Sequence, residues 1–261
     1  MKKFVRVFEV LNILGYIIKM VFSKKKRNLI NKIVYIYILF ANKSGLEIGG
    51  PSGIFRNDGF VPIYKIVKEL DGCNFSNTTI WEGRLKNGEK YNYYKSKKGT
   101  QYISEAADLI LIPNSKYEFI ISSNCLEHVA NPIKAIEEWI RVLKKGGLLF
   151  LVLPNKEHNF DHKRSVTKFS HLLLDYQNNT TENDLTHLDE ILELHDLSLD
   201  KLAGSFEQFK ERSLKNFENR ALHQHIFDVD VLKEIFSYLK LEVLLTYEGG
   251  EYIILGKKIV V

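Results

Sequence analysis

The sequence predicts an α/β fold, a mostly parallel sheet with helices on both faces, and three observations carry that reading. From Leu46 onward, short apolar runs alternate with stretches of helical spacing. One candidate strand ends directly in a glycine-rich turn at Gly49, Gly50 and Gly53. Residues 131–153 read as a complete helix-turn-strand unit.

At 261 residues and 45% hydrophobic, the chain can bury one full core. No repeat of fixed period and no Gly/Ser- or Pro-rich linker divides it. One domain is therefore expected over residues 44–261, preceded by a helical segment at residues 1–43. Candidate strands fall at residues 45–48, 119–122, 148–153, 242–245 and 252–255.

The first helical stretch, residues 4–22, is apolar enough to suggest a membrane span. Its polar residues Arg6, Glu9, Asn12, Tyr16 and Lys19 nevertheless gather in one helical stripe opposite Val7, Leu11, Leu14 and Ile18, which marks an amphipathic helix. Such a helix packs on the core or rests on an anionic membrane surface beside the basic run Lys24-Lys25-Lys26-Arg27, and both readings stay open. Residues 29–41 are too short to cross the ~30 Å hydrocarbon layer and read as a further core element. Two cysteines, Cys73 and Cys125, have neither metal-ligand spacing nor the density of a disulfide framework, which points to a reducing, cytoplasmic compartment. A net charge of +5 is spread widely apart from the 24–27 run, so no nucleic-acid partner is expected.

In the unit at 131–153, Asn131 is a good N-cap and Pro132 suits the first helical position. Ile133, Ile136, Ile140 and Leu143 form the apolar stripe, Arg141, Lys144 and Lys145 occupy the last turns, and Gly146 ends the helix. Beyond Pro154 a segment of about 155–227, rich in His, Asp and Asn, is too long for an ordinary connection. It reads as an insertion forming the wall of a substrate site, with a helix entered through a capping box of Thr186 and Asp189.

The glycine turn lets a ligand approach the backbone closely. The nicotinamide pattern G-x-G-x-x-G fails, because position 51 is Pro and position 54 is Ile. Leu46-Glu47-Ile48-Gly49-Gly50-Pro51-Ser52-Gly53, followed by Leu126-Glu127-His128-Val129 and Arg141-Val142-Leu143-Lys144-Lys145-Gly146-Gly147, resembles the successive motifs of class I S-adenosylmethionine-dependent methyltransferases. Over residues 44–155 the chain is similar to the broad type 11 family.

That resemblance implies a Rossmann-like seven-stranded sheet with an antiparallel C-terminal strand, and S-adenosyl-L-methionine across the C-terminal ends of its first strands. Glu47, Gly49, Gly50 and Gly53 would surround the methionine part, with Glu47 approaching its amino group; Pro51 departs from the family's middle glycine. Asp71, 18 residues past Gly53, is the candidate for the ribose hydroxyls, with Asn74 and Glu82 as competitors and a plain turn at Asp71-Gly72 as the alternative. Glu105, in Ser104-Glu105-Ala106-Ala107-Asp108-Leu109, would face the adenine amine or else be a solvated loop carboxylate. Ser122, Ser123 and Asn124 would line the cofactor's edge.

Methyl transfer is an in-line displacement that needs an aligned acceptor and a group to take its proton. All eight histidines lie at or after position 128, most of them in or near the insertion. Asp161-His162 places a carboxylate beside an imidazole, and Asp184-Leu185-Thr186-His187 repeats the pairing. His162, Asp161 and His187 are therefore the expected catalytic groups, while His128 is expected to shape the site. His223 and His225, two apart on an extended segment, would share a face with Asp228 nearby. Without a third partner such as His162, His187 or His195 they make an incomplete set, and no metal is expected; Asp228 equally suits the cap of a helix carrying Val231, Ile235 and Leu239.

The expected activity is methylation, by O-methylation, of a small-molecule or glycan-type acceptor, because relatives with this loop resemble enzymes of bacterial surface-polysaccharide pathways. A peripheral contact with the inner membrane face through the N-terminal helix belongs to the same expectation. The competing class is a non-catalytic methyltransferase-like binding module, a reading that Pro51 sustains.

Overall fold

The computed structural model describes residues 24–259, and the amphipathic segment expected at 4–22 lies outside them. The chain falls into two compact units that divide after Ala41. In the first, residues 29–40 belong to helix α1 (Lys24–Phe40). No described helix is long and apolar enough to cross a membrane.

The second unit is built on an eight-stranded sheet. Its strands are β1 (Ser44–Ile48), β2 (Glu69–Asn74), β5 (Lys90–Tyr94), β6 (Lys97–Ile103), β7 (Tyr117–Ser123), β8 (Leu143–Pro154), β9 (Leu241–Glu248) and β10 (Glu251–Lys258), in the spatial order β5-β6-β2-β1-β7-β8-β10-β9. A separate ribbon pairs β3 (Thr78–Thr79) with β4 (Gly83–Arg84). Strands β6, β2, β1, β7 and β8 run parallel, and β10 pairs antiparallel with both β8 and β9. The central strands read as continuous apolar runs because both faces of the sheet are covered; Phe119, Ile120 and Ile121 of β7 and residues 148–153 of β8 are all buried.

The expected sheet is confirmed in kind, with one strand more than the seven anticipated. The extra strand, β5, pairs antiparallel with β6 at the edge. Its inward side chains are Tyr91 and Tyr93, so the hairpin lacks the aliphatic run that marks the other strands.

Helix α2 (Pro132–Val142) begins as expected, the Asn131 side chain accepting from the Lys134 amide at 3.1 Å. It ends at Val142 and not at Gly146. The amides of Ser115 and Lys116 take the carbonyls of Arg141 and Val142 at 3.0 and 2.8 Å, which draws Leu143 into β8. Arg141 stays at the helix end, donating to the carbonyls of Leu109 and Ile112 at 2.9 Å each.

The insertion carries α3 (Phe169–Gln177), α4 (Leu188–Leu194), α5 (Phe206–Leu214) and the short α6 (Asn216–Asn219). The capping box expected for α4 does not form, because the Thr186 hydroxyl donates to Asp184 at 2.7 Å. Asp228 does cap α7 (Val229–Tyr238), accepting from the Val231 amide at 2.8 Å.

Asp71 lies inside β2, three residues short of its end. Its buried carboxylate accepts from the Thr100 amide of β6 (2.8 Å), the Tyr117 hydroxyl of β7 (2.6 Å) and the Lys116 ammonium (3.0 Å), so it knits three strands together. Asp71→Ala would strand those donors, with Lys116 itself partly solvated, and is expected to lower stability by about 2–3 kcal/mol in urea denaturation. Methyl-donor affinity should not change in the same variant; the reverse pattern would restore Asp71 as a ribose ligand.

Candidate active site

A cleft of about 680 Å³ opens at the C-terminal ends of the parallel strands, within the ~300–1,000 Å³ of small-molecule sites and at the place where open α/β sheets bind ligands. Its first half is made by the loop after β1. Gly49, at φ +77°, turns the chain at the strand end, and a Cβ there would lie 2.9 Å from the Cys125 sulfur. Gly49, Ser52 and Gly53 line the cleft.

Glu47 does not face the cleft. Its buried carboxylate accepts from the Ser52 amide (2.9 Å), the Tyr91 hydroxyl (2.7 Å) and the Tyr64 hydroxyl (2.7 Å). Burial raises its pKa, opposed by these hydrogen bonds. It shapes the loop from behind and is not directed at a donor's amino group. Gly50 packs against the same knot, and a Cβ there would meet the Glu47 carboxyl carbon at 2.2 Å and the Tyr91 hydroxyl at 2.4 Å.

Asn74, the last residue of β2, takes the place at the cleft expected for Asp71, with Phe75 and Glu82 beside it. The Asn74 amide donates to the Gly50 carbonyl at 3.2 Å, which ties the loop to the neighbouring strand end. Glu105 lines the cleft just past β6, paired at 2.6 Å with Arg220, which reaches across from the insertion. Sequence reasoning missed Arg220, whose left-handed backbone (φ 53°) carries no local signal. Asn124 and Ser123 line the cleft, whereas the Ser122 hydroxyl is buried and donates to the Ile48 carbonyl at 3.1 Å.

The second half of the cleft is set by Glu127, His128, His223 and Glu251. The Glu127 carboxylate is fully buried, and neither oxygen has a hydrogen-bond partner among the described residues. Burial pushes its pKa up to about 7. His128 Nδ1 lies 3.0 Å from the Leu222 carbonyl, to which it must donate, and burial followed by the neighbouring His223 lowers its pKa to about 3. His223 Nδ1 lies 2.5 Å from Asp161, whose carboxylate is also held by Arg164 at 3.2 Å. Burial disfavours the charged imidazole, but Asp161 outweighs it and raises the His223 pKa. Glu251, at the start of β10, has a buried Oε2 without a partner among the described residues, and burial raises its pKa to about 7.

Of the three expected catalytic groups, only Asp161 is brought near this half, and only through His223. His162 does not line the cleft; it pairs with Asp196 at 2.9 Å. His187 stands with His171, Nε2 to Nε2 at 3.1 Å, and with His225 in a separate cluster. His223 and His225 therefore belong to different sets and do not share one face as expected. The signal for Glu127 was present in the sequence, a charged residue between Leu126 and Val129 where the strand end turns inward; Glu251 had none.

The chain belongs to the family described as a methyltransferase domain, whose model matches residues 22–243. It is a class I methyltransferase, and S-adenosyl-L-methionine is its methyl donor. Solved structures similar to it include a SAM-dependent methyltransferase from Aquifex aeolicus (12% identity, 94% of this chain and 98% of that one, TM-score 0.44). Others are those from Methanosarcina mazei (16%, 88% and 98%, TM-score 0.46) and Mesorhizobium loti (10%, 87% and 96%, TM-score 0.49). No curated protein matches the chain.

The residues present fit this donor. Ser52 and Gly53 line the cleft at the loop, and the Ser52 amide is fixed by the Glu47 carboxylate at 2.9 Å. A Cβ placed on Gly53 would meet nothing within 4 Å, so the loop leaves open space there. Gly50→Ala is expected to weaken donor binding at least tenfold by calorimetry and to cost about 1–3 kcal/mol through overpacking against Glu47 and Tyr91. Gly53→Ala should leave the melting temperature unchanged.

Proposed function

We propose that the chain transfers a methyl group from S-adenosyl-L-methionine to a hydroxyl of a small, polyhydroxylated, glycan-type acceptor bound in the second half of the cleft. The observation that carries this reading is the lining of that half. The buried Glu127, the half-buried Glu251 and two imidazoles, which accept from and donate to hydroxyls, surround the space. The same carboxylates, with Glu82 and Glu105 nearby, would repel a phosphate backbone, which supports a neutral acceptor over nucleic acid.

In the first half, Gly49, Ser52 and Gly53 would hold the methionine part, Asn74 and Glu82 the ribose, and Glu105 with Asn124 the remaining edge. The bound donor supplies an electrophilic methyl carbon, whose bond to sulfur breaks as a carbon–oxygen bond to the acceptor forms. Glu127, His128 and His223 grip the acceptor hydroxyl and orient it. Glu251 takes the proton: its Oε2 lacks a partner among the described residues, and a carboxyl raised to about 7 is matched to proton transfer near neutral pH.

Calorimetry with S-adenosylmethionine and S-adenosylhomocysteine should show saturable binding that Gly49→Arg abolishes. A screen of neutral sugars and glycosides should then reveal acceptor-dependent formation of S-adenosylhomocysteine; formation at one slow rate whatever the acceptor would sink the reading. Glu251→Gln is expected to lower kcat on the order of 100- to 10,000-fold with donor affinity unchanged. Because only the carboxylate form accepts a proton, wild-type activity should be lost as pH falls through about 7, the value to which burial raises Glu251.

A further inference from the structure

We propose that Glu127, His128 and His223 hold a divalent transition-metal cation that binds the acceptor hydroxyl. The inference deepens the reading just given and rests on it for the acceptor's identity.

Four features of the cluster point to an ion. One ligating atom from each of the three residues lies within 4.8 Å of the others, so an ion ~2.0–2.2 Å from each is reached by side-chain rotation. Both Glu127 oxygens are buried and have no hydrogen-bond partner among the described residues, an arrangement that costs free energy unless something fills it. His128 Nδ1 lies 3.0 Å from the Leu222 carbonyl, with the Arg220 backbone also bonded to the ring, and His223 Nδ1 lies 2.5 Å from Asp161. Backing of Nδ1 by a carbonyl or carboxylate presents Nε2 as the ligating nitrogen and is the usual orientation of metal-bound imidazoles. All three residues line the cleft, so coordination positions stay open toward the acceptor.

Two imidazoles and one carboxylate with open positions suit zinc, manganese, iron or cobalt better than magnesium or calcium. A cation there would fix the acceptor hydroxyl and make it more acidic. Its proton still leaves to Glu251, and no other co-reactant is required.

Residues His171, His187 and His225 form a second cluster of ligating atoms within 4.8 Å, away from the cleft, and the test must separate the two. Full-length protein stripped with a chelator is titrated with cobalt(II) and followed by visible absorption, with donor calorimetry on the same samples. The expected result is saturable cobalt binding that is lost in His128→Ala, retained in His187→Ala and weakened ~10–100-fold in Asp161→Asn. Unchanged circular dichroism and donor affinity would exclude misfolding of the variants, and Glu127→Gln gives a second, near-isosteric loss. No cobalt signal, or a signal lost in His187→Ala and kept in His128→Ala, overturns the proposal. Donor binding without cobalt binding would leave the methyltransfer reading standing while the cation falls; cobalt binding without donor binding would do the reverse.

Discussion

The Glu47 carboxylate lies where water is excluded, and its neighbours come from three separate parts of the chain: the Ser52 amide from the loop, Tyr64 beyond it, and Tyr91 from the edge strand β5. A buried carboxylate is tolerable only when donors surround it, so once Glu47 is fixed at the end of β1 the other elements must come to it. This explains why the sheet carries an eighth strand, since Tyr91 reaches Glu47 only if β5 is paired at the edge. It also explains why Gly50 bears no side chain. The direction of the loop backbone, and with it the donor's position, follows from that one group.

The acceptor half shows the opposite arrangement. Asp71 and Glu47 each collect three donors, whereas Glu127, equally buried, collects none among the described residues. A site that leaves a carboxylate unsatisfied in the interior stores free energy that a bound proton, hydroxyl or ion can release, and such arrangements cluster where ligands bind. Asp161 is instructive beside it. The ion pair with Arg164 and the bond to His223 overcome its burial and hold its carboxyl below the ordinary range, so it remains a fixed anion that orients the imidazole.

Much of the frame was legible in the sequence because its signals are local. The glycine turn, the Asn131 cap and the apolar runs of β7 and β8 each depend on residues a few positions apart. The edge hairpin was not legible, since tyrosines alternating with lysine and asparagine do not announce a strand. Counting from Gly53 selected Asp71, but β2 runs on to Asn74, and only the strand's length decides which residue reaches the cleft. The histidines were the least legible. Adjacency suggested Asp161 with His162, yet the carboxylate's partner is His223, 62 residues away, because the fold of the insertion and not the order of the chain sets that contact.

The insertion is therefore a packed wall and not a loose lid. Phe209 of α5 lies 4.2 Å from the His195 ring, His195 stacks on Phe160 at 4.4 Å, and Phe160 lies 4.8 Å from His223, so an aromatic chain runs from the insertion's own core to the acceptor's edge. Ile191, Ala203, Phe209 and Leu222 give that segment a small core of its own. Arg164, buried, donates to the His223 carbonyl at 2.7 Å and fixes the backbone as well as the Asp161 side chain. Donor geometry is thus set by the sheet through Glu47, and acceptor geometry by the insertion through Asp161 and Arg164. Because the two networks share no residue, substitutions at Asn159, Phe160 or Arg212 can alter which acceptor fits without disturbing the methyl donor.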